Sequence, residues 1–309
     1  MPELPEVETV KRGLSGLIVG KTIAAVDHNN PKSFPNAEAD VRQFLYSAKV
    51  LQVRRRAKVL IIDLSTNYSL VIHLKMTGQL VFVAEQQTGL RAQGSGLSKD
   101  RNNRRLRFGA GHPNDSLVGK LPDKSTRVNI EFSDKSHLFF NDQRKFGWMR
   151  LMPTIEIENL DFFKKVGPEP LSDDFTAKVF IERVRKRVNT TIKAAILDQT
   201  VLAGVGNIYA DESLWGAKIH PATRVRDITD ARLKSLHKEI RYVLNLSIEK
   251  GGSTDRNYVN AEGKKGSYIN FARVFRKEGK PCPRHPDTLI IKTRVAGRGT
   301  HLCPVCQKV

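Results

Sequence analysis

The period at which apolar residues recur constrains this chain more than any other feature of its sequence. From Val50 to about residue 152 they fall in β-rich runs, "KVLIIDL", "LVIHLKM", "RVNIEFSD" and "HLFFND", the first two separated by the turn-forming "STNYS". Past "VGPEPLSDDF", whose prolines and glycine break regular structure, they recur every three or four residues in "TAKVFIERVRKRVNTTIKAAILDQT" and "TDARLKSLHKEIRYVLNLSIEK". Strands first and helices afterwards predict an α+β protein. An antiparallel β-sandwich with one N-terminal helix is expected over residues 1–152, a linker over 153–170 and a helical domain over 171–273.

The 309 residues exceed a single hydrophobic core, and 52 Lys plus Arg against 32 Asp plus Glu leave a net charge of +20. That excess points to a polyanionic partner, nucleic acid in preference to a membrane. No apolar run approaches the roughly 18 residues of a membrane span. The acidic N-terminus lacks the basic region of a signal peptide, so a soluble cytoplasmic protein is expected. With no heptad and no symmetric interface in view, the expected state is a monomer. Residues 85–124 contain "TGLRAQGSGLSKDRNNRRLRFGAGHPND", polar and glycine-rich without either period, and read as a long, mobile, basic insertion. Residues 251–273 are loop-like for the same reason.

The three cysteines crowd into the C-terminal tail, which argues for metal and against a disulfide framework. In "CPRH" and "CPVC" two intervening residues let Cys282 and His285, and Cys303 and Cys306, face one ion, and thiolates plus imidazole suit tetrahedral zinc. The stretch between alternates and turns at "AGRG", so residues 274–309 predict a two-stranded ribbon stapled by one structural zinc. His301, two residues before Cys303, is a rival fourth ligand. Arg298, between two glycines at the ribbon tip, either clamps a phosphate or is simply solvated.

"MPELPEVETV" is a stiff lead-in to a helix from about Glu6, burying Val7, Val10 and Leu14. Removal of Met1 exposes Pro2 as a secondary amine. An α-amino group titrates near about 7.7–8.0 and is therefore partly an uncharged nucleophile at neutral pH. Glu3 and Glu6 lie beside it; acidic residues there also favour the helix macrodipole. In "GVGNIYADES", Asn207 is placed to cap a helix whose first turn carries Asp211 and Glu212, with N–H groups facing an anion. Upstream, Arg185, Lys186, Arg187 and Lys193 offer phosphate contacts, or form an ordinary solvated face. Lys58 shares the strand face of Leu60 and Ile62, a costly place unless it reaches a rim, a partner or a substrate. Met76 in "HLKMTG" and Phe146 in "NDQRKFGW" either pack into the core or project into the space left by an extruded base, with Arg144 holding the opposite strand.

Taken in order, "MPELPEVETV", "RRRAK", "HLKMTG", "RKFG", "GPEPLS", "GVGNIYADE", "IHPA", "GGST" and "GRGTHLCPVCQ" resemble the bacterial formamidopyrimidine-DNA glycosylase family across essentially the whole chain. The resemblance implies a bifunctional glycosylase and abasic-site lyase that removes oxidised purines, chiefly 8-oxoguanine and formamidopyrimidines, from double-stranded DNA by Schiff base chemistry and β,δ-elimination. It implies a nucleoid-associated location, Pro2 as nucleophile, Glu3 as proton carrier to the deoxyribose ring oxygen and Glu6 as support for the amine. Lys58, His73, Asn207 and Arg298 match positions of proton donation and phosphate binding. Met76, Arg144 and Phe146 match an intercalating trio. A helix-two-turn-helix unit around Asn207, with Arg187, and the zinc ribbon would grip the backbone, while Arg256 in the 251–273 loop would contact the extruded base.

The chain also departs from the family pattern. His285 stands where cysteine is usual, "KSTR" replaces a Lys-His-x-His stretch and shifts that phosphate contact to Lys124 or Arg127, and Asp255 replaces an apolar residue. The oxidised-pyrimidine branch resembling endonuclease VIII begins "PEGPE" and lacks this form of "RKFG". A noncatalytic zinc-ribbon protein that binds damaged DNA is the reading from another class, and it predicts no covalent chemistry.

Overall fold

Helix α1 (Leu4–Ile18) begins where two prolines and a capping box direct it, with the Glu6 carboxylate accepting the Glu3 N–H at 2.8 Å. Its buried face repeats at helical spacing through Leu4, Val7, Val10, Leu14 and Ile18. Each such aliphatic side chain contributes about 1.5–3 kcal/mol when removed from water. The computed structural model describes residues 1–85, 98–99, 105–111, 115–117, 119–253 and 268–308. They form two units, Met1–Phe163 with Gly251–Gly266, and Lys164–Lys250 with Ser267–Val309.

The first unit holds β1 (Ile23–His28), α2 (Glu38–Phe44), β2 (Val50–Arg56), β3 (Val59–Leu64), β4 (Tyr68–His73), β5 (Gly78–Glu85), β6 (Ser98–Lys99), β7 (Arg105–Gly111), β8 (Thr126–Phe132), β9 (His137–Asp142) and β10 (Trp148–Pro153). One antiparallel sheet runs β1-β8-β9-β5-β7-β6, the other β10-β4-β3-β2. Their inner faces and α1 share one core that includes Leu60, Ile62, Leu80, Phe82, Ile130 and Phe140. The central strand β3 is buried on both faces, because Val59 and Ile61 pack outward under Ile157 of the 3-10 turn Thr154–Asn159. That is why "VLIIDL" is a continuous apolar run and not an alternating one.

The fold departs from the sequence expectations at several points. Part of the supposed structureless insertion is strand β7, which pairs with β5 from Gln79↔Gly111 to Glu85↔Arg105. Leu106, Phe108 and Ala110 do alternate, but the surrounding glycines and arginines mask so short a signal. Phe108 packs on α1 at Gly13, where a Cβ would sit 2.1 Å from the ring, so this contact requires glycine. Lys58 does not share a strand face with Leu60: β2 and β3 close at Arg56↔Val59, which leaves Ala57 and Lys58 as a two-residue turn, Ala57 at φ 53°. The additional helix α2 is short and has a single buried residue, Val41, so it carried no readable period.

After α3 (Asp161–Lys165), the second unit comprises α4 (Ala177–Arg185), α5 (Ile192–Leu197), α6 (Asn207–Gly216), α7 (Asp230–Glu249) and α8 (Tyr268–Phe271) around a core of Phe180, Ile196, Tyr209, Leu214, Leu236 and Ile240. The single apolar run upstream of Asn207 is in fact two helices, since the Thr191 hydroxyl accepts the Ala194 N–H and starts α5 afresh. The tail forms two small antiparallel ribbons, β11 (Pro281–Cys282) with β12 (His285–Leu289) and β13 (Ile291–Val295) with β14 (Arg298–Leu302). The second turns through Ala296 at φ 52° and Gly297 at φ 71°, the two left-handed residues of a tight hairpin. No helix among the described residues is long and apolar enough to cross a membrane.

Candidate functional site

In the first unit the chain start is held by its own carboxylates. Pro2 and Glu3 are buried, and the half-buried Glu6 uses both oxygens: Oε2 accepts the Glu3 N–H at 2.8 Å, and Oε1 accepts the Ser253 N–H at 2.7 Å and its hydroxyl at 2.8 Å. Glu6 thus ties the first residues of α1 to the "GGS" turn, a link between distant parts of the sequence that no spacing discloses.

Lys58 is buried, 6% exposed, and its turn is fixed from below. Arg55 donates to the Ala57 carbonyl at 2.8 Å and to Glu8 at 3.1 Å. Burial by itself raises the Glu8 carboxyl, but hydrogen bonds from Lys11, Arg55 and Arg12 outweigh it and hold that carboxyl below the ordinary value. Sequence reasoning missed Glu8 and Arg55, whose only signal was an acidic residue on the buried face of α1. His73 is buried as well, and its Nδ1 accepts the Lys75 N–H at 3.0 Å. Burial, aided by the charges of Lys75 and Lys58, lowers its pKa to about 3, so the ring is neutral at physiological pH. Met76, 40% exposed, and Phe146, 54% exposed, project from the sheets and do not enter the core. Arg144 is exposed, with its guanidinium 4.8 Å from the Phe146 ring centre.

In the second unit Asn207 is the first residue of α6 and not its cap, a place taken by Gly206. Its Nδ2 donates to the Gly299 carbonyl at 2.9 Å, which sets it beside the exposed Arg298. Asp211 and Glu212 lie a turn further along and face inward. Asp211 pairs with fully buried Lys193 at 2.5 Å, and Lys193 also donates to the Thr300 hydroxyl at 2.7 Å. Lys193 is therefore an anchor for β14 and not a surface phosphate contact. Glu212 accepts the N–H groups of Arg273, Val274 and Phe275 at 2.8–2.9 Å. Arg187 stays exposed while pairing with Asp198 at 2.8 Å. In the first unit, Arg127 is buried with its donors spent on the Asp142 and Lys124 carbonyls, which leaves Lys124 as the exposed cation of "KSTR". Arg256 and Asp255 lie outside the described residues.

Cys282, His285, Cys303 and Cys306 converge, their ligand atoms all within 4.8 Å of one another, an arrangement able to hold a metal ion. Burial alone would raise the Cys282 thiol, but donors including the Arg284 and His285 N–H groups bring it down, whereas burial and the neighbouring Cys282 and Cys303 sulfurs push the Cys306 thiol up, as expected of thiols crowded around one point. His301 is not in the cluster: its Nδ1 lies 3.3 Å from Asp211 and its N–H donates to the same carboxylate. Its strand partner is Lys292 of β13.

Residues 1–149 match the family profile described as the formamidopyrimidine-DNA glycosylase N-terminal domain, and residues 166–258 that of its H2TH domain. The formamidopyrimidine-DNA glycosylase of Pelotomaculum thermopropionicum is 37% identical, with all of both chains covered, and that of Halalkalibacterium halodurans is 39% identical, again over both whole chains. Among solved structures, the Lactococcus lactis Fpg in complex with abasic-site-containing DNA has a TM-score of 0.81 at 34% identity, covering 99% of this chain and all of that one. A variant of the same protein with Fapy-dG-containing DNA also reaches 0.81, at 33% identity with both chains fully covered. Sheets, helical unit, Cys/His cluster and full-length similarity converge on one assignment: this chain belongs to the formamidopyrimidine-DNA glycosylase family.

Proposed function

We propose that the chain is a DNA glycosylase and abasic-site lyase that excises oxidised purines, chiefly 8-oxoguanine and formamidopyrimidines, from duplex DNA, with Pro2 as its nucleophile. The observation that carries this reading is the construction of the N-terminus, where Glu6 spends both carboxylate oxygens on fixing Glu3 and the Ser253 turn around a buried Pro2. A terminus that only needed a helix cap would not require that second tether.

With Met1 removed, the Pro2 nitrogen attacks C1′ of the damaged nucleotide. The C1′–N bond to the base breaks, and the base leaves with the bonding pair and takes up a proton. Glu3 passes a proton to the ring oxygen, the sugar opens, and a secondary amine yields an iminium directly. The positive iminium acidifies the C2′ protons. Loss of one breaks the C3′–O bond, and a further proton loss breaks the C5′–O bond, releasing both phosphates. Lys58, Asn207 and Arg298 hold backbone phosphates, Arg187 and Lys124 add exposed positive charge, and neutral His73 braces the loop before Met76. Arg256 contacts the extruded base. On this reading the protein works on DNA in the cytoplasm, at the nucleoid, and acts as a monomer, since the sequence carries no heptad or symmetric interface.

The four-ligand cluster suits zinc. Tetrahedral Zn–S bonds of about 2.3 Å separate sulfurs by about 3.8 Å, and Cys282 Sγ lies 3.6 Å from Cys306 Sγ with His285 Nδ1 at 3.0 Å from the latter. The ion would knit the tail ribbons together and take no part in the chemistry.

Borohydride trapping on a duplex carrying 8-oxoguanine opposite cytosine tests the reading. Wild-type protein should give a covalent adduct, Glu3→Gln little, and Pro2→Gly, whose primary amine can still form an imine, less than wild type. Absence of adduct with wild-type protein would remove the enzyme assignment.

A further inference from the structure

The loops that carry Met76, Arg144 and Phe146 arise from different strands yet end on one carboxylate. Because β4 pairs with β10 and β5 with β9, His73 lies opposite Trp148 and Gly78 opposite Asp142, so the β4–β5 and β9–β10 loops run side by side. At the end of β9, Asp142 is completely buried. Its Oδ2 accepts the Gly147 N–H at 2.6 Å, and its Oδ1 accepts the Arg144 N–H at 3.2 Å and the Thr77 hydroxyl. Thr77 Oγ1 in turn accepts the Arg144 N–H at 3.1 Å. One side chain therefore receives donors from both loops, immediately beside all three exposed residues.

Both loops need such a clamp. Each contains a non-glycine residue in the left-handed region, Lys75 at φ 49° and Lys145 at φ 57°, a conformation that persists only where the surroundings enforce it. The β9–β10 loop also closes tightly: a Cβ on Gly147 would lie 3.0 Å from Asp142 Oδ2 and 2.9 Å from the Phe140 ring. An ionised carboxylate only accepts hydrogen bonds, so it satisfies this ring of donors, whereas an amide of the same shape turns an NH2 group toward N–H donors.

We propose that Asp142 is the positioning residue that assembles Met76, Arg144 and Phe146 into a single wedge, by latching the two loops through Thr77 and the N–H groups of Arg144 and Gly147. What the wedge enters rests on the glycosylase reading above. Asp142 itself touches neither DNA nor the reacting atoms. A single strand has no opposite strand to hold and no stacked gap to fill, so the latch matters for duplex substrate alone.

The test compares the full-length wild type with Asp142→Asn, Thr77→Val and Thr77→Ser on two substrates, an 8-oxoguanine duplex and a single-stranded abasic oligonucleotide. A fluorescent cytosine analogue opposite a stable abasic-site analogue reports wedge insertion without any chemistry. Orphaning buried donors predicts that Asp142→Asn loses about 10–100-fold in single-turnover excision from duplex. Its trapped adduct on the single strand should stay within about twofold of wild type, and the wedge fluorescence change should disappear. Thr77→Val should lose less, and Thr77→Ser should behave as wild type. Unchanged duplex excision and fluorescence in Asp142→Asn would overturn the proposal, as would a parallel loss on both substrates. If wild-type protein forms no adduct, the glycosylase reading fails separately, and the fluorescence comparison still decides the latch.

Discussion

Replacing Lys193 with methionine should be among the most destabilising single changes in the second unit. The ammonium and the Asp211 carboxylate have no exposed surface, lie 2.5 Å apart, and are joined by the Thr300 hydroxyl at 2.7 Å and the Gly299 carbonyl at 3.3 Å from the lysine nitrogen. Methionine fills the space of the aliphatic stem, so little cavity term enters. What remains is an uncompensated buried carboxylate, whose creation costs about 3–5 kcal/mol. At roughly 2–4 °C per kcal/mol for a unit of this size, the transition should fall by about 6–20 °C. A second substitution, Asp211→Asn, distinguishes this cause from general damage. Asparagine keeps an acceptor for the His301 N–H, now 2.9 Å from the carboxylate, and removes the charge, so the double variant should be more stable than Lys193→Met alone. The assay is urea and thermal unfolding of all four members of the cycle, with amide exchange on β14 as a local readout. A loss below about 1 kcal/mol for Lys193→Met, or a double variant as unstable as the summed singles, would refute the reasoning.

His73, with its pKa lowered to about 3 from 6.5, binds its proton in the unfolded chain before it does in the folded one. Its contribution is therefore complete above pH 6.5 and is lost as pH falls from there toward about 3, and His73→Gln should flatten that part of the stability–pH curve while the wild-type ring shows no NMR titration above pH 5. In the tail, His285→Ala should lower bound metal and zinc affinity by at least tenfold, whereas His301→Ala should retain full metal and loosen β14 through its lost contact with Asp211, as read by metal analysis and amide exchange.

The succession of strands and helices, the start of α1 and the Cys/His pairs were legible because each rests on local chemistry: side-chain period, proline geometry and ligand spacing. Family resemblance singled out Pro2, Met76, Phe146 and Arg298, which no local rule ranks above their neighbours. Local rules failed where neighbours in space are remote in sequence. Strand β7 was hidden because its glycines and arginines dilute the alternation, and its burial depends on Gly13 of α1 accepting the Phe108 ring. Lys58 looked like a strand residue until the hairpin register put it in a turn.

The residue types on hand for chemistry, the positive charge that calls for a polyanion and the two pairs of metal ligands are all readable along the linear chain. Folding in three dimensions settles that His285 and not His301 joins the cluster, that Lys193 is an internal anchor, and that Asp142 and Glu6 each bind segments far away along the chain. Burial and hydrogen-bond partnership are properties of spatial neighbours, which the order of residues does not state. A charged residue reads the same in sequence whether it meets water or a buried counter-charge, and the difference between those fates is several times the thermal energy.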